Sequence, residues 1–130
     1  MSFNSPINDN YYVLGSKLYW DVSLKLPIPF AIQGLIYLSD CNEKEGCFQC
    51  VPGFHNQIEN WLKSLPANAN PRERALDELK SIPIIGEAGD MFIWNQAVPH
   101  CATPNYGQKP RMVQYLTYIH DDYKEQNLWI

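Results

Sequence analysis

The sequence has few charged residues and few of the basic residues that bind nucleic acid or anionic membranes. Charged side chains make up 18% of the 130 residues, and ten lysines and arginines leave a net charge of −4. A nucleic-acid or anionic-membrane partner requires a basic face, which this composition does not supply. No apolar run approaches the ~20 residues of a membrane span. We therefore expect no nucleic-acid partner and no membrane partner.

Cysteine and targeting features are also scarce. Four cysteines in 130 residues are too few for a disulfide scaffold. The first ten residues, MSFNSPINDN, have neither a basic start nor an apolar stretch, so they predict no secretory signal. A reducing cytoplasm is the expected location.

What the sequence does contain favours β-structure. Hydrophobic residues make up 45% and aromatic residues 13% of the chain, and such residues suit strands. The length predicts a single domain over residues 1–130, with a loose arm over residues 1–10. Alternation predicts a strand from Tyr11 to Leu26, which PIPF interrupts, and a buried strand over residues 31–40.

A helical insert is expected over residues 55–82. One apolar stripe runs through HNQIENWLKSLP, and NPRERALDELKSIP has Asn70 as a cap and Pro71 at the first helical position. Strands IPIIG, DMFIWN and RMVQYLTYIH follow, with turn residues between them. Strands, an insert and further strands predict an all-β sandwich or rolled barrel.

Four residues have the chemistry and spacing of a site. Tyr19 and Asp21 are two apart in a strand-like run, so their side chains leave the same face. His100 follows one predicted strand, and Arg111 opens the next, where its fork can hold a carboxylate. Spacing alone favours an ordinary loop histidine at residue 100 and a surface arginine at residue 111.

The cysteines raise a second metal hypothesis. Cys47 and Cys50 have the C-x2-C spacing of zinc ligands, with Cys41 and His55 nearby. In a strand, however, Cys47 and Cys50 point to opposite faces and cannot bind one ion together. Small buried thiols are the better interpretation.

Three stretches carry a family resemblance. In chain order they are WDVSLKLPIPFAIQGLIYLSDCNEKEG, GCFQCVPGFH and AGDMFIWNQAVPHCATPNYGQKPRMVQYLTY. Their order and spacing are typical of the phytanoyl-CoA dioxygenase family. The similarity runs from about Leu18 to Tyr118. This part of the chain resembles the family's histidine-x-aspartate segment, its Pro-Gly turn, and its closing segment with a histidine and an arginine.

The resemblance implies a double-stranded β-helix, or jelly-roll, that binds Fe(II) and 2-oxoglutarate. Carried over by residue, Asp21 and His100 would be metal ligands, and Arg111 would pair with the far carboxylate of 2-oxoglutarate. The family's first metal histidine falls on Tyr19. Polar contacts to the cosubstrate are expected from Gln33 and Asn105.

Two interpretations of Tyr19 stay open. The chain is either a dioxygenase with an incomplete facial triad, which hydroxylates a small organic substrate, or a noncatalytic homologue that binds a small carboxylic acid or a protein partner. A chain this short is either a piece of a longer protein or a reduced form with an open site. Its aromatic content also fits a homodimer.

Overall fold

The computed structural model describes residues 1–8, 10 and 15–130. Within this part the chain forms seven strands, two α-helices and a 3-10 turn at Phe54–Asn56. The strands are β1 (Ser2–Asn4), β2 (Ala31–Tyr37), β3 (Phe48–Cys50), β4 (Ile82–Ile84), β5 (Met91–Asn95), β6 (His100–Ala102) and β7 (Arg111–Ile119). The helices are α1 (Ile58–Ser64) and α2 (Pro71–Glu78).

Two antiparallel sheets enclose the main core. The larger sheet has the strand order β1-β7-β2-β5, and the smaller one has the order β4-β3-β6. Leu35 and Val113 from the larger sheet and Phe48 from the smaller one are buried in the same cluster. Such a core requires alternate residues of each strand to point inward. The strands predicted from the sequence have this alternation. The prediction of an all-β fold with a helical insert is confirmed.

The two helices follow the capping signals in the sequence. The Asn70 side chain accepts a hydrogen bond from the backbone N–H of Arg72 at 3.0 Å, and Pro71 occupies the first helical position. Ile58 of α1 and Ala75 of α2 are buried in a second cluster with Trp20 and Val22. The helices therefore pack against the segment that carries Asp21.

The strand predicted from Tyr11 to Leu26 does not form as expected. Residues 11–14 lie outside the described part of the chain, and from Lys17 to Leu26 only Tyr19 makes a β-bridge, to His100. The alternation is real, because Trp20 and Val22 are buried on one side. The next hydrogen-bonded pair of this ladder would be Asp21 with Val98, but the Val98 N–H donates to the Asn95 carbonyl at 2.8 Å instead. Side chains and residues 128–130, here called the tail, supply the hydrogen bonds of the segment after Tyr19 instead.

The loose arm predicted for residues 1–10 is wrong for its first part. Ser2–Asn4 pair with β7 as an edge strand. The Asn4 side chain donates to the carbonyl of Thr103 at 3.0 Å, and the Asn4 carbonyl accepts from Asn105 Nδ2 at 2.8 Å. These contacts are about a hundred residues apart in sequence, so local composition could not indicate them. Strand β6 was also not expected.

The four cysteines are free and buried, as expected for small core thiols. Burial raises the pKa of Cys41 to about 12 and that of Cys50 to about 11. The predicted burial of these thiols is confirmed.

The outer face of the larger sheet is apolar and uncovered. Phe3, Met91, Ile93 and Tyr118 are more than half exposed on this face. A homodimer could bury them, and this arrangement stays a prediction. Within the described residues, no helix combines the length and apolarity needed to cross a membrane.

The core should respond to truncation as a packed interior does. Leu35 has 0% exposure, whereas Leu38, three residues later, is 42% exposed. We expect Leu35→Ala to lower the free energy of unfolding by about 2–5 kcal/mol, because it removes buried methyl groups and leaves a cavity. Leu38→Ala is the matched control and should change it by less than about 1 kcal/mol. Urea unfolding measures both, and equal losses would contradict this core.

Candidate functional site

The site is organised by a backbone pairing between Tyr19 and His100. Each of these residues donates its N–H to the carbonyl of the other at 2.9 Å. Directly opposed residues of an antiparallel pair project on the same side, and the Tyr19 and His100 rings lie 4.6 Å apart. The Tyr19 phenol therefore lies beside the His100 imidazole.

Asp21 and His100 converge. Nε2 of His100 lies 3.2 Å from Oδ2 of Asp21, and the imidazole is 3% exposed while the carboxylate side chain is 50% exposed. Nδ1 of His100 lies 3.1 Å from the Val98 carbonyl oxygen. A backbone acceptor at that distance assigns the proton to Nδ1, which directs the Nε2 lone pair toward the carboxylate. A second proton or a cation is required to make this contact favourable.

Gln33 and Trp94 fix the orientation of the Asp21 carboxylate. Trp94 Nε1 donates to Gln33 Oε1 at 3.0 Å, so the amide nitrogen of Gln33 points the other way. That nitrogen donates to Asp21 Oδ2 at 2.9 Å. The sequence suggested that Gln33 contacts the cosubstrate, whereas its amide here binds Asp21.

These contacts favour the ionised form of Asp21. The hydrogen bond from His100, which forms when a second proton occupies Nε2, lowers the carboxyl pKa most, burial opposes it, and the Gln33 hydrogen bond lowers it further. A lowered pKa in the folded state means that the pairing stabilises the protein above the ordinary aspartate range. That stability is lost as the pH falls through the lowered pKa.

Tyr19 remains a neutral phenol. Burial, followed by the negative charge of Asp21, raises its pKa to about 12. A protonated phenol is a weak metal donor. Tyr19 is therefore a poor metal donor beside His100.

A cavity of about 190 Å³ opens in front of these residues. Its lining consists of Tyr19, Asp21, Gln33, Trp94, His100 and residues 115–117 of β7. Arg111 does not line this cavity, and it is 3% exposed. Its Nη1 donates to the Tyr115 hydroxyl at 3.4 Å, and its Nε has no partner among the described residues. A buried guanidinium N–H without a partner is costly.

Asn105 is not brought to this cavity. Its side-chain nitrogen donates to the carbonyls of Asn4 and Lys109, and its Oδ1 accepts from the Gly107 N–H. With both ends of the amide used, it organises the loop before β7 and does not face His100. His120 has a 75% exposed side chain and does not line the cavity.

The donor set for a metal consists of two protein side chains. Two adjacent ligands at ~2.1 Å from one ion lie ~3 Å apart, which fits the 3.2 Å between His100 Nε2 and Asp21 Oδ2. No group of three histidine, cysteine, aspartate or glutamate side chains converges within the described residues. The arrangement can hold an ion by two ligands, with other positions left to small molecules.

Three residues of the site environment were not found from the sequence. The hydrogen bonds that Trp94 makes with Gln33 and Tyr115 makes with Arg111 were not predicted from the sequence. Arg72, on α2, was read only as part of a helix, yet it contacts the backbone on both sides of Asp21. Their inward positions in strands were a usable signal for the first two.

Comparison with known proteins places this geometry in context. The family model of phytanoyl-CoA dioxygenase (PhyH) matches residues 13–113. A Dictyostelium discoideum protein assigned as a phytanoyl-CoA dioxygenase is 29% identical over 92 residues, which cover 65% of this chain and 26% of the relative. Dioxygenase lolE1 of Epichloe uncinata is 28% identical over 95 residues, covering 72% and 35%. The chain thus spans about a third or less of either relative.

Solved structures share the fold. AviO1 from Streptomyces viridochromogenes superposes with a TM-score of 0.67 at 20% identity, covering 94% of this chain and 49% of AviO1. The epimerase SnoN, in complex with Fe3+, alpha ketoglutarate and nogalamycin RO, gives 0.64 at 19% identity, covering 90% and 46%. At such identities the likeness establishes the fold alone, and it confirms the predicted jelly-roll.

The family model covers most of the chain, and it includes the segment of Tyr19 and Asp21, the His100 strand and Arg111. The resemblance noted in the sequence is therefore confirmed. This chain belongs to the phytanoyl-CoA dioxygenase (PhyH) family.

Proposed function

We propose that this chain is a non-haem Fe(II)/2-oxoglutarate oxygenase that hydroxylates a small organic molecule, with Asp21 and His100 as its metal ligands. The observation that carries the proposal is the convergence of His100 Nε2 and Asp21 Oδ2 at 3.2 Å beside an open cavity. The Val98 carbonyl holds the other ring nitrogen, as is usual for a metal-binding histidine.

Iron and 2-oxoglutarate would supply the oxidising chemistry, in which dioxygen converts 2-oxoglutarate to succinate and carbon dioxide and one oxygen atom enters a C–H bond. The chain itself contributes a dry imidazole and an ionised carboxylate at fixed positions. Gln33 keeps the carboxylate oriented, and Trp94 keeps Gln33 from rotating. Side chains that bind a metal require such hydrogen-bonded neighbours to hold their orientation.

Arg111 would bind the far carboxylate of 2-oxoglutarate. Its buried guanidinium has an Nε–H without a partner, and Tyr115 connects it to the cavity lining. A planar guanidinium can hold a carboxylate by two hydrogen bonds, and a hydroxyl beside it can add a third. Since no other role satisfies the Nε–H in the described residues, an anionic ligand is favoured.

The second candidate function is noncatalytic binding of a small carboxylic acid. The two-ligand donor set and the neutral Tyr19 favour it, because weak metal binding would leave Arg111 as the main determinant of affinity.

The proposed location is a reducing cytoplasm, which is compatible with four free, buried thiols.

Iron and 2-oxoglutarate binding tests the proposed function. We expect the anaerobic protein with Fe(II) and 2-oxoglutarate to give a weak visible absorption band, and oxygen then to give succinate. Asp21→Asn should weaken iron binding by tenfold or more, since it removes the anionic ligand. Lys63→Ala, on the exposed face of α1, is the control and should bind as the wild type does. No band and no succinate at high iron would leave only acid binding.

Tyr19 provides a direct test of the missing ligand. We expect Tyr19→His to raise metal affinity by about tenfold or more, because it would add a neutral nitrogen donor beside His100. Tyr19→Phe should leave affinity within about threefold, because the neutral phenol is not a ligand. Titration with Mn(II) in place of Fe(II) measures both. A large loss in Tyr19→Phe would mean that the phenol binds the metal.

Arg111 distinguishes anion binding from packing. We expect Arg111→Met to abolish the stabilisation that 2-oxoglutarate gives in a thermal-shift assay, with or without metal. Arg111→Lys keeps the charge but lacks the planar fork, so it should retain only part of the shift. An unchanged shift in Arg111→Met would place the cosubstrate elsewhere.

A further inference from the structure

The backbone around Asp21 is held by a side chain and not by a neighbouring strand. Arg72 Nη1 donates to the Trp20 carbonyl at 3.1 Å, and Arg72 Nη2 donates to the Val22 carbonyl at 2.8 Å. These are the residues immediately before and after Asp21. One guanidinium therefore takes the hydrogen-bonding place of a neighbouring strand on the side of this segment that faces away from β6.

Arg72 is itself fixed from three directions. Its Nε and Nη2 donate to the Ile130 carbonyl oxygen at 3.1 and 2.9 Å. Its guanidinium carbon lies 4.9 Å from the centre of the Trp129 ring, within cation–π range. Its own backbone belongs to the first turn of α2, which Asn70 caps. The donors thus have little freedom to move relative to the helix.

The tail completes the same arrangement. Ser23 Oγ donates to the Leu128 carbonyl at 2.6 Å, and the Leu24 N–H donates to the Ile130 carbonyl at 3.1 Å. The segment after Asp21 is consequently bound both by Arg72 and by the residues that Arg72 holds. No strand pairing from residue 20 to residue 26 competes with these bonds in the described chain.

We propose that Arg72 is the positioning residue of Asp21. By binding the carbonyls on both sides, it fixes the backbone dihedrals of Asp21 and so directs the carboxylate toward His100. Trp20 and Val22 are buried on the side of the helical cluster, so the intervening carboxylate faces the opposite side, toward the cavity. The role in metal binding rests on the proposed function, whereas the positioning itself does not.

The geometry requires arginine and not simply a positive charge. Three guanidinium nitrogens serve three carbonyl oxygens that lie in different directions. A lysine ammonium at the same place has no planar fork and cannot satisfy all three with the same alignment. Lysine in place of Arg72 should therefore position Asp21 only in part. If a positive charge alone were sufficient, lysine would position Asp21 as well as arginine does.

A metal-free measurement tests the positioning. The ¹⁵N resonances of the His100 ring report whether Nε2 faces the carboxylate, and Asp21→Asn defines the values without that charge. We expect Arg72→Ala to move these resonances most of the way to the Asp21→Asn values at the same pH. Arg72→Lys should move them part of the way. Arg74→Ala, whose side chain pairs with Glu78 on the same helix, should leave them unchanged.

The outcomes decide the role even if one variant is unstable. Wild-type His100 resonances in folded Arg72→Ala would overturn the proposal, and so would wild-type resonances in Arg72→Lys if the alanine variant does not fold. Leu79→Ala removes packing from the same helical cluster without touching Asp21. If it shifts the resonances as far as Arg72→Ala does, general destabilisation explains the effect and positioning is excluded.

Metal binding then separates this proposal from the proposed function. We expect Mn(II) affinity, measured with 2-oxoglutarate present, to fall about tenfold or more in Arg72→Ala and to stay unchanged in Arg74→Ala. A wild-type protein that binds no Mn(II) would contradict the proposed function, while the His100 resonances still decide the role of Arg72. Shifted resonances with unchanged Mn(II) affinity would show that the position of Asp21 does not matter for the metal.

Discussion

The paired backbone hydrogen bonds between Tyr19 and His100 are the constraint on which the site depends. They join the described segment from Lys17 to Leu26, in which no other residue makes a β-bridge, to β6, and so to the smaller sheet and the main core. With the two residues in register, the side chain two positions after Tyr19 reaches the cavity beside the imidazole. A shift of one residue would turn Asp21 toward the helical cluster and Trp20 toward the cavity.

The helical insert supports the site from behind. It does not line the cavity, but Ile58 and Ala75 pack against Trp20 and Val22, and α2 presents Arg72 to the same segment. The Trp20 indole also donates to the Ala97 carbonyl at 2.9 Å, which ties this cluster to the turn before β6. The insert and the jelly-roll thus act together on a few residues of irregular backbone.

Much of this arrangement could be predicted from the sequence, because it depends on local patterns. Alternation located β2, β5 and β7, capping located α2, and the order of motifs indicated Asp21, His100 and Arg111 as one group. The parts that were missed depend on partners far along the chain. Tyr19 belongs to a bridge and not to a strand, because its neighbours bond to Arg72 and to the tail.

Polar side chains were the hardest to assign for the same reason. Gln33 and Asn105 are both amides in promising places, yet one binds Asp21 and the other closes a loop. An amide can donate and accept in almost any direction, so its sequence context does not select its partner. Only the three-dimensional arrangement shows which of its bonds are already used.

The unequal exposure of the two converging side chains has a kinetic consequence. The Asp21 carboxylate is half exposed to solvent, while the His100 imidazole is buried behind it. If Asp21 and His100 hold a metal as proposed, the carboxylate would be the ligand that solvent and ions reach, and the imidazole would be the ligand shielded from them. The association rate should therefore depend on ionic strength, and the dissociation rate on how firmly the imidazole is held.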